Sequence, residues 1–266
     1  MFAIAGIDGT GDYTEAEYAR RFRSSFVRQL TSGHEAPNVG RYSRGPTVEG
    51  ASTAGKGEAA AKFITEAVEA GLRRGQRLGV FLTGFSRGGG AAIHAARMLA
   101  QRRILVDALF LFDAVDRAIG LDVDEIPNNV RTVYHAMRSK SAESREFFGN
   151  CGTRFHKTTT AYHSKWFHCT HGAIGGTPWT AAGSDGSIYE GDSFVSHGML
   201  ILLPMPVALV ARTVYENNSR TRVTLAQEQA GSAQVLEWMR ANFDFEKDKV
   251  VLRQRLEGAL PGGAQV

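Results

Sequence analysis

An apolar, strand-like run, Leu78 to Thr83, ends in Gly84-Phe85-Ser86-Arg87-Gly88 and passes at once into a small-residue segment, Gly89-Gly90-Ala91-Ala92-Ile93. This Gly-x-Ser-x-Gly pattern between a strand and a helix is the context of a nucleophile elbow. The serine then sits on a sharp turn, with its hydroxyl clear of the backbone at the carboxyl edge of a sheet. Gly84 and Gly88 remove side chains where turn, strand and helix nearly touch. The glycines and alanines that follow let the helix begin close to the sheet, with its amide-rich end near the serine.

Composition bounds what surrounds this feature. The 266 residues are 43% hydrophobic and 22% charged, with a formal net charge of +4. A sizeable core is available. The basic residues are scattered rather than gathered into a tract, so no nucleic-acid partner is expected. No apolar run reaches the ~18 residues of a membrane span; the nearest, Met199 to Ala211, is interrupted by Pro204 and Pro206. The start, Met1-Phe2-Ala3-Ile4-Ala5-Gly6-Ile7-Asp8, lacks the basic region and cleavage pattern of a signal peptide and reads as a first strand. A cytoplasmic location, or export that leaves no cleaved signal, follows as the expectation. Cys151 and Cys169 are too few for a disulfide scaffold; they read as buried free thiols, with a single bridge between them as the alternative.

Strand and helix signals alternate through the first half. A strand over 2–8 leads into the turn-rich Asp8-Gly9-Thr10-Gly11-Asp12. Thr14 and Glu17 form a capping box for one helix bearing Tyr18, Phe22, Phe26 and Leu30 on a single face. Residues 33–57 read mainly as loop, and a helix follows from about Glu58 to Arg74. Beyond the elbow, Leu105–Phe112 and Val130–Met137 are strands. Strands separated by helices imply a mainly parallel central sheet flanked by helices, with ligands gathering at the strands' carboxyl ends. Residues 139–192 are loop-rich and are expected to form an active-site wall; Leu225–Phe243 is a further helix. No internal repeat or linker divides the chain, so a single domain over 1–266 is expected.

A serine becomes a nucleophile when a base takes its proton and a carboxylate orients that base. Asp113, at the carboxyl end of its strand, shares a sheet edge with Ser86; Asp116 is the reserve acid. Among eight histidines, His171 precedes Gly172, Gly175 and Gly176 in a setting that suits an imidazole at a pocket rim. His197 is the runner-up, and His135, inside a strand, reads as a satisfied core histidine. Cys151, His156, His163, His168, Cys169 and His171 are crowded in sequence but lack a specific metal-ligand spacing, so no metal is assigned. Two other patterns fail. Gly50–Gly57 resembles a phosphate-binding loop but has Gly57 where Ser or Thr should hold magnesium, and Gly6 occupies the attacking-aspartate position of a phosphatase-like Gly6-Ile7-Asp8-Gly9-Thr10. The loop after the first strand serves better as an oxyanion wall, in which the backbone amide of Arg87 and one from Gly9 or Thr10 face the developing charge.

Asp8-Gly9-Thr10-Gly11, Gly84-Phe85-Ser86-Arg87-Gly88, Phe112-Asp113-Ala114-Val115, the His135-Ala136 strand end and Trp166-Phe167…His171-Gly172-Ala173-Ile174-Gly175-Gly176 occur in one order. Over residues 1–178 this set resembles the α/β-hydrolase family that contains the phospholipase effectors of bacterial type VI secretion. The resemblance implies Ser86, Asp113 and His171 as the triad. The chain departs from that family's pattern with Phe112 for Trp, Ala114 for Thr and Gly172-Ala173 for Ser-Asp.

The expectation is an α/β-hydrolase-like serine hydrolase that cleaves a small-molecule or lipid ester without a cofactor. Its membrane-surface contact would be transient, and Met199 to Ala208 either lines an acyl pocket or forms a core helix. The rival is a non-catalytic protein of the same fold that binds a partner protein or ligand.

Overall fold

A computed structural model describes residues 1–11, 14–46, 52–115, 121–146, 148–190 and 220–259. Asp116, His197 and the Met199–Ala211 run lie outside the described residues. The elements in chain order are β1 (Phe2–Ile7), α1 (Glu15–Arg21), α2 (Phe26–Thr31), β2 (Val39–Ser43), α3 (Thr53–Arg73), β3 (Gly79–Phe85), α4 (Arg87–Gln101), β4 (Val106–Phe112) and β5 (Val130–Arg138). They continue with β6 (Ala161–Phe167), α5 (His171–Ile174), β7 (Ser187–Tyr189), β8 (Arg220–Thr224) and α6 (Leu225–Ala259).

The architecture is α/β, a parallel central sheet flanked by helices. Six strands form a wholly parallel sheet in the order β2-β1-β3-β4-β5-β6, and β7 and β8 form a separate antiparallel pair. The chain steps outward from β1 to β2, then returns across β1 to β3. Connections leaving β1 and β3 therefore diverge, which opens a crevice between their carboxyl ends. The loop after β1 and the elbow after β3 both end there.

The central strands are buried on both faces, so they read as continuous apolar runs. Alternation within them divides the core in two. One set, Ala3, Ala5, Ile7, Val80, Leu82, Leu109 and Leu111, packs with Ala60, Ala61 and Ile64 of α3 and with Ala91, Ala92 and Ala95 of α4. Small residues on both partners let these two helices approach closely. The other set is aromatic: Phe2, Phe81 and Phe110 meet Phe243 of α6 with ring centroids 6.0, 5.6 and 5.6 Å apart, all near edge-to-face. Cys151 lies in the first core and Cys169 in the second, and both are free thiols on opposite faces of the sheet.

The structure differs from the sequence expectations in five places. The expected single helix over Tyr18, Phe22, Phe26 and Leu30 is two: α1 ends at Arg21 with Phe22 as its C-cap, and Ser25 caps α2 by accepting the Arg28 amide at 3.2 Å. All four side chains are still buried. The serine offers the backbone an alternative to continuing the helix. Residues 33–57 contain β2, an edge strand exposed along much of its length, so no apolar alternation marks it. Helix α3 begins at Thr53 despite Gly55 and Gly57; a Cβ on Gly57 would lie 2.7 Å from the Ala91 carbonyl, so packing against α4 overrides propensity. Helix α6 runs sixteen residues beyond Phe243, through a segment rich in the helix formers Glu, Lys, Arg and Leu. The 139–192 stretch also holds edge strand β6, α5 and β7. Among the described residues, no helix is long and apolar enough to cross a membrane.

Candidate active site

Ser86 stands between β3 and α4 with φ +56° and ψ −129°, a conformation rarely adopted by a residue with a side chain. Its surroundings hold it there. The Ser86 amide donates to the Phe112 carbonyl at 3.0 Å, and its carbonyl accepts from Gly89 at 2.9 Å and Val115 at 3.2 Å. A Cβ on Gly84 would meet the Gly88 carbonyl oxygen at 2.3 Å, and one on Gly88 would meet the Ile7 carbonyl oxygen at 2.2 Å. Both outer glycines of the pentapeptide are therefore required by backbone-to-backbone contact.

Asp113 follows β4 in a left-handed conformation, φ +44°. Its amide donates to the Ala136 carbonyl at 2.7 Å, and the next amide, Ala114, donates to Nε2 of His135 at 3.2 Å. His135 shares Nδ1 with the Tyr162 hydroxyl at 2.9 Å, so both ring nitrogens are engaged. Burial pulls its pKa to about 4, partly offset by the nearby Asp113. It is a neutral core histidine, and it also fixes the turn that carries Asp113.

His171 is the first residue of α5 and is buried, in contrast to the rim position expected from its glycine-rich surroundings. Thr170 caps α5 by accepting the Ala173 amide at 3.3 Å, while Glu228 of α6 accepts both the amide and the hydroxyl of Thr170. The His171 amide donates to the Ser144 hydroxyl at 2.8 Å. Phe85 and Phe148 flank the imidazole with centroids 4.8 and 5.5 Å away.

These elements bring the three side chains together. Nε2 of His171 is 3.0 Å from Ser86 Oγ, and Nδ1 is 2.6 Å from Asp113 Oδ2. The arrangement calls for the tautomer with a proton on Nδ1, leaving Nε2 to accept from the serine hydroxyl. Burial lowers the His171 pKa to about 4; Asp113 opposes this, and Arg138 and Arg145 add to it. Burial acts to raise the Asp113 pKa, but Arg138, His171 and Asn150 outweigh it and hold the carboxyl below the usual range. The result is an ionised aspartate beside a neutral imidazole.

The loop after β1 lies against the elbow: a Cβ on Gly9 would be 2.6 Å from the Phe85 ring and 3.4 Å from Ser86 Cβ. The Gly9 amide donates to Oδ1 of Asp8 at 2.9 Å, so it is not directed at an oxyanion. Thr10 is the remaining donor of the expected pair, and its hydroxyl accepts from the Arg87 guanidinium at 3.3 Å. Arg87 is the first residue of α4, so its backbone amide lies at the amide-rich start of that helix beside Ser86. Asp8 is fully buried and accepts from Tyr42 at 2.8 Å; burial raises its pKa to about 6 against the pull of Ser25, Gly9 and Tyr42. Tyr18 bridges the same loop, donating to the Gly9 carbonyl at 2.8 Å and accepting the Gly45 amide at 2.7 Å.

Sequence reasoning placed Asp8 in the loop motif after the first strand without giving it a role, and did not single out Arg138, Ser144, Asn150 or Glu228. Asp8 follows β1 and Arg138 ends β5 on the same sheet edge as Ser86, and for Arg138 that position is the one signal that marks it. Of the histidines crowded between Cys151 and His171, His163 stacks on Tyr134, while His168 bonds Ser141 and the Arg222 carbonyl. Among the described residues, no three His, Cys, Asp or Glu side chains converge as a metal site.

No protein-family model matches the chain, and no curated protein matches it in sequence. Solved structures of similar layout include the effector bound to the VgrG spike of the type 6 secretion system, at 16% identity and a TM-score of 0.37, over 68% of this chain and 52% of that one. They also include the RedJ thioesterase of prodiginine biosynthesis from Streptomyces coelicolor, at 14% identity and a TM-score of 0.34, over 66% of this chain and 85% of that one. A cutinase-like protein from Cryptococcus sp. has 16% identity and a TM-score of 0.31, over 61% and 75% of the two chains. The chain spans about half the length of the first of these. Likeness this remote assigns the chain to no family.

Proposed function

We propose that the protein is a serine hydrolase that cleaves carboxylic esters through an acyl-enzyme on Ser86. The observation that carries this reading is the His171 ring bridging Ser86 Oγ at 3.0 Å and Asp113 Oδ2 at 2.6 Å. In the proposed reaction His171 Nε2 takes the serine proton as Oγ attacks the ester carbonyl. Asp113 keeps the Nδ1 proton in place and offsets the charge of the imidazolium. The backbone amides of Arg87 and Thr10 are the proposed oxyanion donors. The imidazolium then protonates the leaving alcohol, and water activated by the same ring releases the acid. No step calls for a metal or cofactor.

The proposed substrate is a small-molecule or lipid ester. Phe85 and Phe148 give the imidazole an apolar border, which suits a hydrophobic acyl or alcohol group. A phospholipid panel beside simple esters tests the lipid side of this reading.

A fluorophosphonate probe and a series of p-nitrophenyl esters test the reading. Labelling of the wild-type chain at Ser86, with turnover lost in Ser86→Ala, is expected. A folded wild-type chain that neither labels nor turns over any ester would overturn it in favour of a binding role. Turnover by Ser86→Ala within tenfold of wild type would remove the nucleophile.

A further inference from the structure

Arg138, the last residue of β5, is almost completely buried, and every part of its guanidinium is engaged. Nη1 donates to Asp113 Oδ2 at 2.5 Å, the same oxygen that faces His171. Nε donates to the Ser144 carbonyl at 2.7 Å, and Nη2 donates to the carbonyls of Arg145, at 3.0 Å, and Phe148. The Arg138 amide adds a 3.4 Å contact to Asp113 Oδ1, which also accepts from Asn150 at 2.7 Å. One rigid fork thus joins the aspartate to the 144–148 segment. That segment carries Ser144, which accepts the His171 amide, and Phe148, which lies edge-on to the His171 ring.

We propose, resting on the serine-hydrolase reading, that Arg138 is a positioning residue that holds Asp113 in register with His171 and ties the wall carrying Ser144 and Phe148 to the same aspartate. The planar guanidinium suits both tasks, because its donors point in fixed directions that an ammonium cannot reproduce. Its charge has a second effect. It opposes protonation of the imidazole, so the base stays neutral in mildly acidic solution, where an unperturbed histidine is charged. The charged groups around His171 are Asp113 from β4, Arg138 from β5 and Arg145 beyond it. Glu190 stands behind Ser144 and Glu228 behind Thr170. The cations offset the aspartate, and the two glutamates act through the hydroxyls they bond.

The test compares wild type, Arg138→Lys and Arg138→Met. It reads pH profiles of kcat/KM and kcat on a p-nitrophenyl ester, and an NMR titration of the His171 ring. Arg138→Met removes charge and fork: kcat should fall on the order of a hundredfold as the aspartate loses its register. The acidic limb and the His171 titration should both move up by about one pH unit or more. Arg138→Lys keeps the charge but not the fork, so its acidic limb should stay near wild type while kcat drops about tenfold.

A change that merely loosened the fold would lower the melting temperature without moving the His171 titration. Folded Arg138→Met with wild-type kcat, or with an unmoved His171 titration, would overturn the proposal. If Arg138→Met does not fold, Arg138→Lys with wild-type kcat does so instead. The NMR titration needs no turnover. A wild-type chain inert to esters and fluorophosphonate would therefore defeat the serine-hydrolase reading, while an unmoved His171 titration in Arg138→Met would separately defeat the role of Arg138.

Discussion

Glu228 of α6 receives both the amide and the hydroxyl of Thr170, at 2.8 and 2.7 Å, and also the Trp179 amide at 3.0 Å. A residue 57 positions further along the chain thereby holds the turn on which His171 sits. Glu228→Ala leaves three donors without their acceptor, and buried unsatisfied donors cost ~1–3 kcal/mol each. A loss of about 3 kcal/mol in urea unfolding is expected, along with lower kcat as the imidazole loosens. Glu228→Gln, which keeps one acceptor oxygen, should lose less. Equal urea midpoints for wild type and Glu228→Ala would show that the turn holds itself.

Asp113→Asn should lower turnover by on the order of 10⁴, because the amide favours the wrong histidine tautomer. It should also destabilise the fold, since Arg138 loses its counter-charge; a buried pair broken on one side costs roughly 3–5 kcal/mol. Esterase assays with denaturant titration read both effects. A variant with reduced kcat but unchanged stability would mean that the 144–148 carbonyls alone satisfy Arg138.

The pH dependence of activity follows from the neutral base. In the proposed reaction His171 takes the serine proton only when uncharged, and burial lowers its pKa to about 4. Activity should therefore be full above this value and lost as the pH falls through it, well below the 6.5 of an ordinary histidine. A kcat/KM profile with its acidic midpoint near 6.5 would contradict the electrostatic account.

Stability should depend on pH differently. His135 and His171 have lowered folded values, so the unfolded chain binds more protons below about 6.5 and their contribution is lost as the pH falls toward about 4. Asp8 and Glu190 have the opposite sign. Burial raises them to about 6 and about 7, so their contribution is lost as the pH rises toward those values. Two groups oppose two, and the melting temperature should change little between about pH 6 and pH 4.5. Below about pH 4 it should fall steeply, as Asp113 is driven to take up a proton against Arg138. A steady slope across the whole range, followed by thermal melts, would show that the opposing pairs do not cancel.

Phe243→Ala tests the aromatic side of the core. The ring meets Phe2, Phe81 and Phe110 and is almost fully buried. Removing it should cost about 3–5 kcal/mol by chemical denaturation. A loss below about 1 kcal/mol would mean that α6 contributes little to the sheet's stability.

Where geometry depends on local backbone, the residues by themselves were enough. Gly84-Phe85-Ser86-Arg87-Gly88 spells a turn that only small residues can make, because carbonyl oxygens lie within 2.3 Å of any added Cβ. Asp113 was legible because it ends an apolar strand in a parallel sheet, where strand ends share one edge. Largely apolar runs, broken only by single polar residues such as Asp107 and Thr83, announced strands buried on both faces. Tertiary contact decided the rest. The polar edge strand β2 has no apolar alternation to betray it, and the break between α1 and α2 depends on Ser25 turning its hydroxyl to the backbone. Gly9 lay in the right loop, but only the folded position of Asp8 shows where its amide points. Arg138 reads in sequence as an ordinary charge ending a strand. Its meeting with Asp113 at 2.5 Å spans 25 residues and joins neighbouring strands, and Glu228 reaches Thr170 across 58. Local pattern carries turn, period and strand end; which buried charge meets which partner is set by how the strands and helices pack.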